Sequence, residues 1–250
     1  MSYYRRPVHY GGGGISLFGP LTEAAKYLLI ANVSVFVIQL FSDGFMIRWF
    51  ALIPATVFPG VQLWRLFTYM FMHGDFAHIL FNMLVLWWFG SPVEQRLGMR
   101  RFVFYYFLCG VGSGLVSVFF YLSFGGSHVP ILGASGALMG MFMAFALLYP
   151  NAQVLLFFVV PVKAKWLVVF FVIMEFAATV SYTSGAVSGV ANIAHLSGLL
   201  IGYFYLRRLD DLRSYYLRAR LKYLGAKSKP KDRPFRVITN DDDDKPTWLH

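Results

Sequence analysis

The chain has 250 residues, 58% hydrophobic and 19% aromatic with only 14% charged, which excludes an ordinary soluble globular domain. A formal charge of +10 would suit nucleic acid, but the basic residues are distributed as in a membrane protein and not as a single basic face, so no nucleic-acid partner is expected. The only cysteine, Cys109, lies in an apolar run and excludes an intrachain disulfide.

The opening MSYYRRPVHYGGGG has no charged stretch leading into a short apolar core and cleavage site, so no removable signal is expected. A helix needs roughly 20 mostly apolar residues to cross a bilayer. Six such runs follow, at 24–41, 77–93, 101–122, 135–149, 165–181 and 191–206. None alternates polar with apolar, which argues against transmembrane strands. The expected fold is all-α: a polytopic bundle of six transmembrane helices over 24–206, preceded by a segment 1–23 and followed by a basic tail 207–250.

Between the first two runs, 42–76 is the longest connection, with aromatic residues suited to the membrane interface. The fourth run stands apart. About 15 residues from Ser135 to Pro150 make roughly 22 Å of helix, too short to span. If that helix ends at the cytoplasmic surface, its N-terminus lies inside the bilayer on irregular backbone, tolerated only beside protein or water. After the sixth run, RRLDDLRSYYLRARLKYL reads as a basic amphipathic helix on the cytoplasmic leaflet. The Asp241–Asp244 run before Lys245 resembles a protease-cleavage tag as much as an acidic tail and carries no functional weight.

Arg5, Arg6 and Lys26, then Arg96, Arg100 and Arg101, then Lys163 and Lys165, then Arg207 and Arg208 mark one side of the membrane. The intervening 42–76 holds only Arg48 and Arg65, and 123–134 and 182–190 hold no Lys or Arg. Both termini are therefore expected in the cytoplasm, with the chain integral to a prokaryotic cytoplasmic (inner) membrane.

Polar groups in lipid are costly and point to function. His78 and Asn82, four apart in HILFN, share one helix face. GASGALMG puts Ser135 at a helix start, where free N–H groups and positive partial charge would stabilise an oxyanion. Gly136 and Gly140 on the fourth run, and Gly198 and Gly202 in AHLSGLLIG on the sixth, form small-residue faces able to bring His195 to Ser135. A serine hydroxyl attacks only when a base can take its proton, and His195 is the histidine of that sixth run. Glu175, a carboxylate inside an apolar run, suits an ion relay, a protonated packing residue or, as favoured here, a structural hydrogen bond. HGDFAH, with His73, Asp75 and His78, lacks the HExxH spacing of a zinc site, and neither metal nor cofactor is expected.

GASG, HILFN, AHLSGLLIG, the Trp64–Arg65 pair and VEQRLG at 93–98 together resemble the rhomboid family of intramembrane serine proteases, in the family's order and over about 24–206. The resemblance implies a Ser135–His195 dyad without an acidic third member. It also implies an oxyanion hole of His78, Asn82 and the Ser135 amide, with Gly133 shaping the preceding loop and Trp64 and Arg65 scaffolding the external segment. Position 139 departs from the pattern: Met139 stands where some rhomboids have a tyrosine packed on the histidine. Implied partners are the lipid bilayer and single-span membrane-protein substrates, cut near the external end of their helix where Gly or Pro eases unwinding. Two other readings remain: an inactive rhomboid-like protein that binds transmembrane segments, against which both Ser135 and His195 are retained, and a transporter, which the lack of internal repeats disfavours.

Overall fold

The computed structural model describes residues 19–58, 60–156, 159–183 and 192–227. The expectations for 1–18, for most of 182–190 and for the tail beyond 227 lie outside the described residues. The chain divides into two compact units, Met1–Arg207 and Arg208–His250. Every residue of the site described below belongs to the first; of the second, the described part is helical backbone ending at Lys227.

Helix α1 (Glu23–Leu40) leads into a segment of short helices, α2 (Phe45–Phe50), α3 (Pro54–Val57) and α4 (Arg65–Thr68), with a 3-10 turn at Tyr69–Phe71. Then α5 (Phe76–Val85) runs through a π-helical stretch, Leu86–Gly90, into α6 (Ser91–Leu97), and α7 (Met99–Phe124) follows at once. A loop carries the chain to α8 (Ser135–Leu148). Strands β1 (Gln153–Leu156) and β2 (Val160–Lys163) form an antiparallel hairpin with Gln153 opposite Lys163, after which come α9 (Ala164–Thr183) and α10 (Asn192–Lys227).

Among the described residues, four helical stretches are long and apolar enough to cross a membrane: Glu23–Leu40, Phe76–Leu97, Met99–Phe124 and Ala164–Ser181. The protein is thus a mostly helical, polytopic membrane protein. Each expected apolar run falls on a helix, but several ends move. The second continues to Leu97, with Pro92 directly after the π-helical stretch Leu86–Gly90, where the regular i to i−4 ladder is already interrupted and a missing N–H is tolerated. Gly98, at φ 79°, ends it and lets α7 restart immediately. The last helix runs through the expected break at 207, since Leu, Arg and Lys are strong helix formers and no Gly intervenes before Gly225. The hairpin is not legible in the sequence: four-residue strands, one holding Pro161, leave a weak pattern.

Helix α8 is the centre of the first unit, with Gly136, Ala137, Leu138 and all of Gly140–Ala146 buried. Its backbone nearly touches that of α10, for a Cβ added to Gly198 would lie 2.0 Å from the carbonyl oxygen of Gly136. One turn on, a Cβ on Gly202 would meet the Gly140 Cα at 3.0 Å, so the two glycine faces do meet. Outward, α9 exposes Trp166, Phe170, Ile173, Met174 and Phe176. Such a contiguous apolar surface suits hydrocarbon and not water.

The N-terminus of α1 is closed from a distance. Buried Glu94, on α6, accepts from the backbone N–H of Ala24 and of Ala25, each at 3.0 Å, and from the Thr22 hydroxyl. The carboxylate thus satisfies donors that the first helical turn cannot, and places negative charge at the positive helix end. Glu94→Gln offers one acceptor oxygen in place of two. It is expected to cost about 1.5–3 kcal/mol, read as a lowered unfolding midpoint in a thermal or denaturant titration in detergent; an unchanged midpoint would mean the cap contributes nothing.

Candidate active site

The site is built on a clamp between two loops. In the segment after α1, the buried Arg65 guanidinium donates to the carbonyls of Ala51 at 2.6 Å and Arg48 at 2.7 Å, and to the Gln62 side chain. Trp64, largely exposed, donates from its indole to the Trp49 carbonyl at 3.1 Å. Arg65 fixes the fold of the segment, while Trp64 ties down its outer edge. The segment then holds the loop before α8: Leu52 and Ile131 exchange backbone bonds of 3.1 and 2.8 Å, Ala55 N–H donates to Ser127 at 2.9 Å, and Gly133 N–H donates to Tyr69 at 3.0 Å.

Gly133 adopts φ 104°, a conformation L side chains rarely take. A Cβ there would lie 2.6 Å from His78 Nε2 and 3.3 Å from Asn82 Nδ2, so both side chains of α5 converge on the loop two residues before Ser135. Asp75 caps α5 by accepting from the His78 N–H at 2.8 Å, which fixes the first turn. Gly74 N–H approaches His78 Nδ1 at 3.4 Å; this long bond favours the tautomer whose Nε2 carries the proton and donates toward Gly133. The Asn82 Nδ2 group is buried and, among the described residues, has no partner. A buried amide donor left open is costly, and it is the kind of group an incoming oxygen would satisfy.

Behind His78, the His73 ring packs edge-on at 5.1 Å, and its backbone is held by Gln39 of α1, which accepts from the His73 N–H at 3.1 Å and donates to its carbonyl. Burial pushes the His73 imidazole down to about 4, and the neighbouring His78 acts in the same direction. A neutral buttress results. Its role is not evident from sequence, because its partner lies on a different helix.

Ser135 is the first residue of α8, whose earliest intrahelical bond runs from Leu138 N–H to Ala134, so the amides of Ser135, Gly136 and Ala137 begin the helix without one. Its Oγ lies 2.7 Å from His195 Nε2 on α10. On the far side of the ring, His195 Nδ1 lies 2.8 Å from Glu175 Oε1 on α9. Of the residues singled out by sequence, the structure gathers Ser135, His195, His78, Asn82 and Gly133 at one place. Trp64 and Arg65 lie in the supporting segment. Met139, one turn along α8, lines an apolar cavity of about 430 Å³ with Phe81, Trp88, Phe142 and Phe171. Glu175 does make a hydrogen bond, as its sequence reading favours, but its partner is the histidine itself. An acid alone in a 20-residue apolar helix was the available signal; which residue it met was not.

A hydroxyl on an imidazole, backed by a carboxylate and facing open N–H donors, can perform nucleophilic acyl transfer. The Rhomboid domain matches residues 60–209. Over 143 residues the chain is 33% identical to the rhomboid protease GluP of Bacillus subtilis, covering 57% of this chain and 25% of that protein. It is 30% identical over 185 residues to the rhomboid protease GlpG of Yersinia enterocolitica, covering 74% and 60% respectively. Rhomboid protein 1, mitochondrial, of Saccharomyces cerevisiae is 32% identical over 155 residues, covering 60% and 44%. The chain thus spans from a quarter to three fifths of the length of these relatives.

Gly133→Ala would place a methyl group against His78 in a strained backbone. The expected cost is about 1–3 kcal/mol of stability, together with displacement of His78, read as a lower unfolding midpoint and slower labelling of the serine by a fluorophosphonate. Native values of both would show that the loop accommodates a side chain.

Proposed function

Because the chain belongs to the rhomboid family, we propose that it is an intramembrane serine endopeptidase with Ser135 as nucleophile and His195 as general base. The single observation that carries this reading is the 2.7 Å approach of Ser135 Oγ to His195 Nε2. As Oγ attacks a scissile carbonyl carbon, its proton passes to Nε2 and the carbonyl oxygen becomes an oxyanion. The imidazolium then gives that proton to the leaving amine, the C–N bond breaks, and an acyl-enzyme forms on Ser135. Water, deprotonated by the same Nε2, attacks the ester; the proton returns to Oγ as the new carboxyl leaves.

The oxyanion is met by His78 Nε2–H, Asn82 Nδ2–H and the Ser135 amide. The tautomer favoured by Gly74 and the partnerless Asn82 amide support the first two roles. Substrates are transmembrane segments of other membrane proteins. An intact helix hides its carbonyls in i to i−4 bonds, so segments loosened by Gly or Pro near the cleavage point are preferred.

Six spans over 24–206 form the protease domain, with 1–23 and 207–250 on the cytoplasmic side, a reading that the Lys and Arg asymmetry supports. Helix α8, 14 residues and about 21 Å long, does not reach across, so Ser135 begins it below the outer surface. Location in a prokaryotic cytoplasmic membrane belongs to the same reading.

Cleavage of a model transmembrane substrate in liposomes is expected to vanish in Ser135→Ala and in His195→Ala, with covalent fluorophosphonate labelling lost in the former. Asn82→Ala should lose about 10²–10³ in kcat with KM little changed, as expected for a donor used in the transition state. Cleavage by folded Ser135→Ala would refute the protease reading, and binding of substrate without cleavage or labelling by the native chain would favour an inactive segment-binding protein. For topology, an external protease added to sealed cells should leave the 207–250 tail intact, and trimming of that tail would invert the orientation.

A further inference from the structure

The mechanism above uses one nitrogen of His195, and the structure gives the other a partner. We propose that Glu175 is a positioning residue for the proposed protease reaction: it holds His195 in the Nδ1–H tautomer and completes a Ser135–His195–Glu175 relay carried by three different helices. The inference rests on the Ser135–His195 reading and adds to it an acidic member that the family resemblance does not supply.

The geometry is that of a relay. Ser135 Oγ stands 2.7 Å from Nε2 and Glu175 Oε1 stands 2.8 Å from Nδ1, at opposite corners of one ring. Among the described residues, no other side chain is hydrogen-bonded to either nitrogen. For Nε2 to accept the serine proton, the ring's own proton must sit on Nδ1, and a carboxylate there selects that tautomer and fixes the ring plane. When Nε2 takes the proton, the new positive charge faces Glu175 directly. The carboxylate needs no proton of its own for this.

A purely structural role fits the same residue poorly. Side-chain exposure is 18% for His195 and 14% for Glu175. Oε2 of Glu175 is buried with no partner among the described residues, so the imidazole is the only group that offsets its burial. A carboxyl kept for packing alone would be replaceable by an apolar residue at a gain. Neighbouring Ile173, Met174 and Phe176 are all exposed apolar residues, whereas Glu175 turns inward along α9 with Leu167, Val168 and Phe171. Without α9, the histidine would have a serine on one side and no fixed acceptor on the other.

The test uses the full-length protein in liposomes, with native, Ser135→Ala, Glu175→Gln and Glu175→Asp forms compared for kcat and KM on a transmembrane substrate, for fluorophosphonate labelling rate and for unfolding midpoint. Nitrogen NMR of histidine-labelled protein reads the His195 tautomer. Glu175→Gln can turn its amide to donate at Nδ1 and so favours the wrong tautomer. It should lose about ten- to ten-thousandfold in kcat and in labelling rate while KM and the midpoint stay near native. Glu175→Asp, one methylene shorter, should recover part of that loss, and the native ring should carry its proton on Nδ1. A folded Glu175→Gln with native kcat, or one whose loss is entirely in KM, overturns the assignment while leaving the protease reading intact. Should that variant not fold, the native His195 ring decides alone, and a proton on Nε2 overturns the proposal. Cleavage that persists in folded Ser135→Ala strikes instead at the underlying protease reading.

Discussion

The approach of α8 to α10 at Gly136 and Gly198 is the constraint on which the site depends. Ser135 and His195 sit one residue before and three residues before these glycines, so their separation is set by how closely two backbones can lie. Any side chain at Gly198 would displace the Gly136 carbonyl. In a bilayer there is little hydrophobic drive between helices, and backbone proximity comes from small residues and close van der Waals fit. A contact of 2.7 Å between a hydroxyl and an imidazole is thus a by-product of helix packing. The same packing surrounds α8 with α7, where Tyr105, Tyr106 and Cys109 are buried, so the helix that begins at Ser135 has little freedom to shift.

The second support is the clamp from the segment between α1 and α5. Arg65 spends its guanidinium on backbone carbonyls, which is costly to arrange in a largely apolar setting and pins down an irregular chain that would otherwise carry open polar groups. That segment in turn holds Leu52 against Ile131 and Tyr69 against Gly133. Because Gly133 gives its N–H to Tyr69, the donors that remain open near Ser135 among the described residues are on α5 and at the start of α8. The polar atoms of the region thus separate into two groups: those used to hold the loops and those, such as Asn82 Nδ2, left without a partner among the described residues.

Much of this was legible in the chain. The apolar runs located the helices, because a membrane helix must satisfy its backbone internally and is long and uniform in composition. Ser135, His195, His78 and Asn82 stood out as polar residues in apolar surroundings, and the glycine spacing indicated which helices could touch. What sequence concealed was pairing at a distance. Glu94 caps a helix about 70 residues earlier in the chain, as the 70-residue separation from Ala24 shows, and nothing local marks it as a cap. Gln39 holds His73 from another helix. For Glu175, the local pattern signalled a buried acid but not that its partner was the ring of His195. The β1–β2 hairpin was missed for a different reason: four residues of strand are too few to carry a period.

The hydrogen-bonded serine and histidine are 60 residues apart, and the histidine lies on the last helix of the first unit. During synthesis Ser135 is therefore made well before His195 exists. At translation speeds of about 5–20 residues per second the interval is roughly 3–12 s, in which the Ser135 hydroxyl has no His195 to bond. A ribosome that stalls, or a chain truncated before α10, leaves a membrane protein that has Ser135, His78 and Asn82 but lacks the imidazole bonded to the serine, and under the protease proposal such a chain cannot remove the serine's proton. Under that proposal the order of residues along the polypeptide acts as a safety interlock, arming the hydroxyl only once α10 has joined the bundle.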